Sequence, residues 1–131
     1  MGVAMRYGSG GSVGGAEKNS GGVQLTKLWA NNSPTSNFAA QTVSVDLTGC
    51  DLYAVQLRFS TGYDYGMEMM FFPVDERQNN LTVVTIAQNR TGGRHCQYSI
   101  ANKEMTFDGA SYNGASNNSY AIPLAIWGVK L

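Results

Sequence analysis

From residue 23 onward, large apolar residues tend to recur at every second position. Thr42 to Thr48 reads T-V-S-V-D-L-T, with Val43, Val45 and Leu47 on one face and Ser44 and Asp46 on the other. Leu52 to Phe59 sets Tyr53, Val55, Leu57 and Phe59 opposite Gln56 and Arg58. A period of two belongs to strands with one wet face. The intervening Thr48-Gly49-Cys50-Asp51 has turn chemistry. The same reading predicts strands at Val23–Trp29, Met67–Val74, Leu81–Ala87, Arg94–Ala101, Lys103–Phe107 and Tyr120–Lys130. Leu81–Ala87 is apolar on both faces, as expected of a central strand between two layers. Thr61-Gly62, Gln78–Asn80, Thr91–Gly93 and Asp108–Ser119 read as separators. Pro123 interrupts the last apolar run, which predicts an edge position or a bulge there. No window holds a capped apolar 3.6 repeat, so helices should be few. Roughly eight short strands at this spacing predict an all-β fold, an antiparallel β-sandwich of jelly-roll-like type.

Glycine divides the chain. Eight of its 16 glycines precede Val23. Met1–Gly22 has few large apolar residues with which to offset its ordering entropy, so it reads as a Gly/Ser-rich flexible arm. Residues 23–131 then form a single sandwich domain.

Composition narrows the function classes. The 131 residues carry nine Lys+Arg and nine Asp+Glu, and charged residues make up only 14%. Zero formal charge argues against a nucleic-acid platform or an acidic tail. No apolar run is long enough to insert in a membrane, and the glycine-rich start lacks the apolar core of a secretion signal. Cys50 and Cys96 leave two readings, one disulfide or two buried free thiols, and the thiols are preferred because cysteine is so often buried. The Asn-x-Ser/Thr triplets at Asn80, Asn89 and Asn117 are the chance product of a composition rich in those residues.

Catalytic chemistry finds little footing. His95, the only histidine, neighbours Cys96, and adjacent strand residues point to opposite faces. A histidine on the wet side of a core cysteine is the expectation, not a dyad. Asp75-Glu76 is followed at once by Arg77 and reads as a self-neutralising turn rather than the separated carboxyls of a glycosidase. No nucleophile elbow, phosphate loop or metal-ligand spacing is present. No catalytic residue, cofactor or metal is therefore expected.

Binding is better supplied. Arg58 to Met67 holds Tyr63, Asp64 and Tyr65 between glycines, a loop that either presents tyrosine faces to a ligand or packs over a sandwich end. A second loop presents Tyr112 and Asn113, and turn geometry explains its Asn and Gly equally well. In the cluster Met67, Met69, Met70, Phe71 and Phe72, the expectation is that Met67, Met69 and Phe71 face the core. Met70 and Phe72 would then face outward and lie between subunits. Trp29 is open between core and interface, whereas Trp127 is expected in the core.

Lys27–Asp51 (K-L-W-A-N-N-S-P-T-S-N-F-A-A-Q-T-V-S-V-D-L-T-G-C-D) resembles small tail-associated proteins of phages and prophages of Gram-positive gut bacteria. Tyr120–Leu131, with I-P-L-A-I-W-G-V-K-L, is similar to the close of the same domains. The resemblance implies a β-sandwich module of a tail tip, baseplate or fibre that acts in adsorption to the host surface. It also implies association with other tail proteins, a homotrimer, and a place in the virion after synthesis in the bacterial cytoplasm. Low charge and abundant Asn, Ser, Thr and Tyr suit a neutral host-surface glycan. The alternative is a bacterial carbohydrate-binding module with no virion role; a glycan hydrolase lacks its acid/base pair.

Overall fold

The computed structural model describes residues 22–62, 67–75 and 81–131. They form β1 (Gln24–Ala30), β2 (Gln41–Ser44), β3 (Leu52–Ser60), β4 (Glu68–Pro73), β5 (Leu81–Ala87), β6 (Arg90–Ser99), β7 (Glu104–Tyr112), β8 (Ala115–Ser116) and β9 (Tyr120–Lys130). One antiparallel sheet has the order β1-β9-β3-β4; the other runs β2-β7-β6-β5, with β8 paired to β7. The chain is thus an all-β antiparallel sandwich, as the alternation predicts. No helix among the described residues is long and apolar enough to cross a membrane. The arm at Met1–Gly22, apart from Gly22, lies outside the described residues.

The two inner faces build one core. Val55, Leu57, Ile122 and Ile126 from one sheet and Val83, Cys96, Met105 and Phe107 from the other are at most 1% exposed. Burying each large apolar side chain contributes about 1.5–3 kcal/mol. The expected strand at Thr42–Thr48 leaves its ladder after Ser44, yet Val45 and Leu47 keep their inward phase. The Tyr98 hydroxyl holds them there, donating to the Val45 carbonyl at 2.8 Å and accepting from the Leu47 amide at 3.2 Å. The Cys50 amide then closes on the Leu47 carbonyl at 3.0 Å. Gly49, at φ 83°, takes the left-handed position that a type II turn demands.

Several expectations are corrected by packing. Leu81–Ala87 is an edge strand, not a central one. Ile86 on its outer face is left 57% exposed, while β4 side chains occupy its edge: Glu68 Oε2 accepts from the Ile86 amide at 2.9 Å, and Met70 Sδ accepts from the Val84 amide at 3.4 Å. Two backbone donors that would otherwise template another strand are occupied. Glu68, Met70 and Phe72 therefore share the inward phase. Met70 and Phe72 pack on the core, while Phe71 is 43% and Met67 55% exposed. That inverts the faces expected for β4, where apolar residues on both sides left the phase undetermined by pattern.

Thr91–Gly93 is inside β6 rather than a separator. Gly92 is needed for close approach, since a Cβ there would lie 3.0 Å from the Tyr120 Cβ. The turn falls instead at Gln88 and Asn89, both at positive φ, the backbone of a tight hairpin. Pro123 sits in a strand flanked by β1 and β3, at the bulge where Gln56 pairs with Ala125 but Leu57 pairs with Pro123. Trp127 is only half-buried, outside the core cluster. Its indole N–H donates to Gln56 Oε1 at 3.0 Å, and Lys27 Nζ lies 5.1 Å from its ring centroid.

Candidate functional site

At one end of the sandwich the segments around residues 31–41, 61–62 and 117–120 converge. The Asn31 amide bonds the Leu124 carbonyl at 2.9 Å, the Phe38 amide the Asn118 carbonyl at 3.0 Å, and the Thr61 amide the Ser119 carbonyl at 2.9 Å. Loops gathered at a sandwich end on a rigid scaffold are where binding surfaces commonly sit.

A pocket of about 260 Å³ opens there, where β1 ends and β2 begins. Trp29, Ala30 and Phe38 line it together with Asn31, Asn32, Ser33, Asn37 and Gln41; the lining is mainly polar, and no lining side chain is charged. Trp29 is held by Phe38 at 6.0 Å and Phe107 at 5.9 Å between ring centroids. Asn31 is spent on structure: its Nδ2 donates to the Pro123 carbonyl at 2.9 Å and its Oδ1 accepts from the Ser33 amide at 2.8 Å. Pro34 and the Ser33–Ser36 turn keep the loop short of strand pairing. By contrast, the side-chain amides of Asn32 and Asn37 make no hydrogen bond among the described residues, and both residues are exposed.

Beneath the pocket lies Arg94, 1% exposed. Its Nε donates to Ala121 O at 2.9 Å, and its terminal nitrogens donate to Asp108 O at 2.7 Å and Tyr120 O at 3.1 Å. The guanidinium carbon sits 5.1 Å from the centroid of the Phe38 ring. Burial pulls its pKa down to about 10, so it stays a cation at neutral pH. It ties β6 to β7 and to the start of β9, where Ala121 adopts φ 47°.

The candidate residues from the sequence fall unevenly on this end. Arg58 lies within β3, opposite Ile122, and is 8% exposed, so it is a strand residue rather than a loop tip. Tyr112 is half-buried, stacked on Tyr120 at 3.9 Å and edge-on to Phe59 at 6.3 Å. Asn113, at φ 50°, and Gly114, at φ 86°, form the tight β7–β8 turn. Turn geometry explains that pair. Tyr63, Asp64 and Tyr65 lie outside the described residues. Trp29 packs on the core and lines the pocket. His95 is exposed beside buried Cys96, and both cysteines are free thiols. Among the described residues no group of three or more His, Cys, Asp or Glu could hold a metal ion.

Sequence reasoning missed the pocket and Arg94. The density of amides in N-N-S-P-T-S-N between Trp29 and Phe38 was the available signal for the first. A lone arginine inside a strand gives no signal for the second. Comparison with known proteins yields no matching family model, no matching curated protein and no matching solved structure.

Proposed function

We propose that this chain is a non-enzymatic attachment module of a phage tail, contacting saccharide on the host surface through the loop end of its sandwich. One observation carries the reading: Trp29–Ser33, Asn37, Phe38 and Gln41, within the stretch that resembles tail-associated proteins, line an uncharged, amide-rich pocket. Neutral saccharides are bound by hydrogen bonds and ring stacking, which need these groups and no countercharge. Weak single contacts gain strength when a module is repeated on a symmetric tip, and a homotrimer mounted among other tail proteins fits that logic. Antibody labelling of particles by negative-stain microscopy tests the assignment. Label on the tail supports it; label confined to the soluble lysate refutes it and leaves a bacterial carbohydrate-binding module.

A further inference from the structure

Building on the saccharide-attachment reading, we infer that the 29–41 pocket takes a single uncharged sugar ring at the exposed end of a glycan, read by Asn32, Asn37 and Gln41 beside Trp29. Size suits the occupant: pockets for drug-sized ligands run about 300–1,000 Å³, and this smaller one, at about 260 Å³, has room for one ring.

Chemistry sets its class. A primary amide presents N–H donors and a carbonyl acceptor side by side, and adjacent sugar hydroxyls present the same pair in reverse. Asn32 and Asn37 are exposed, and their side-chain amides have no hydrogen-bond partner among the described residues. Gln41 donates from Nε2 to the Ala39 carbonyl at 3.0 Å, which leaves Oε1 to accept. Trp29, packed on Phe38 and Phe107, closes one wall beside these amides. No lining side chain offers a countercharge to a uronic acid, a sialic acid or a polyol phosphate. Arg94, the buried cation under Phe38, directs its hydrogen bonds to three backbone carbonyls. Asn31, locked at both ends of its amide, positions the loop in advance, so little ordering cost remains for binding.

The test is saturation-transfer NMR and titration of the full chain with methyl glycosides of glucose, galactose, rhamnose and N-acetylglucosamine, beside glucuronate, N-acetylneuraminate and glycerol phosphate. Neutral glycosides should bind and the anions should not. Asn37→Ala and Asn32→Ala should each weaken the neutral probe about tenfold, one lost hydrogen bond, with an unchanged melting temperature because both residues are exposed. Anions bound as well as neutral rings would overturn the inference. So would wild type and the double variant holding host-wall polysaccharide equally well, an outcome that leaves attachment standing and moves it elsewhere. Failure of the wild type to hold any wall polysaccharide would remove the attachment reading and this inference together.

Discussion

Two tyrosines in one core, 6.0 Å apart between ring centroids, should respond oppositely to loss of a hydroxyl. Tyr98→Phe removes an oxygen that donates to Val45 O and accepts from Leu47 N. Both backbone groups belong to the segment that leaves the ladder after Ser44, so no strand partner replaces the hydroxyl. Each lost bond costs about 1 kcal/mol net, rising toward 2 where the stranded group stays dry. With Tyr98 8% exposed, water reaches part of the site, and about 2 kcal/mol is expected. Tyr53→Phe removes a hydroxyl that is buried without a partner in a residue 1% exposed. Its burial is a standing cost of about 1–2 kcal/mol, so the variant should match wild type or exceed it by about 1 kcal/mol. For a domain of this size the melting temperature moves roughly 4 °C per kcal/mol. Thermal unfolding of the two variants should therefore separate by about 8–12 °C, with Tyr98→Phe below, and urea unfolding should rank them the same way. Tyr53→Phe losing more than about 1 kcal/mol would show that its hydroxyl is satisfied, and the reasoning would fail.

Arg94→Met leaves the carbonyls of Asp108, Tyr120 and Ala121 facing an apolar chain. At about 1–3 kcal/mol each, offset by relief of a buried cation, a loss of about 3–4 kcal/mol is expected, and urea titration showing under about 1 would refute it. A methyl at Gly128 would lie 2.7 Å from Cys50 Sγ and 2.9 Å from Leu28 Cδ1. Gly128→Ala should cost about 1–3 kcal/mol, and Gly128→Ala with Cys50→Ala should recover part of it. Alkali should weaken the fold: burial pushes the Cys96 thiol from 9.0 up to about 12, with Asp108 adding to the effect. The native state then holds a proton that the unfolded chain releases, and stability falls by about 1 kcal/mol between about pH 9 and pH 10. Burial also raises Tyr53, which adds in the same direction above that window. A melting temperature that stays flat from about pH 8 to pH 10, or a slope unchanged in Cys96→Val, would contradict this.

Sequence alone determined the fold class and most strand positions, because a period of two is a local property that each strand displays without its neighbours. Tyr53, Val55, Leu57 and Phe59 face the core as their alternation predicts, and Asn113-Gly114 marks its own turn. What needed the tertiary structure was every choice between two locally equivalent answers. Met69 to Phe72 is apolar on both faces, so its phase was decided by Glu68 reaching the edge of β5. Gly92 and Gly93 look like a turn until Tyr120 is found packed on one of them. Leu81–Ala87 looks central until β4 is seen covering its edge. The candidate site divides the same way. Its amides were visible as composition, but a pocket exists only because Asn31, Phe38 and Thr61 bond to segments 58 to 93 residues away in sequence. Arg94 beneath it was invisible, since a buried cation is recognisable only by the three carbonyls that the fold brings to it.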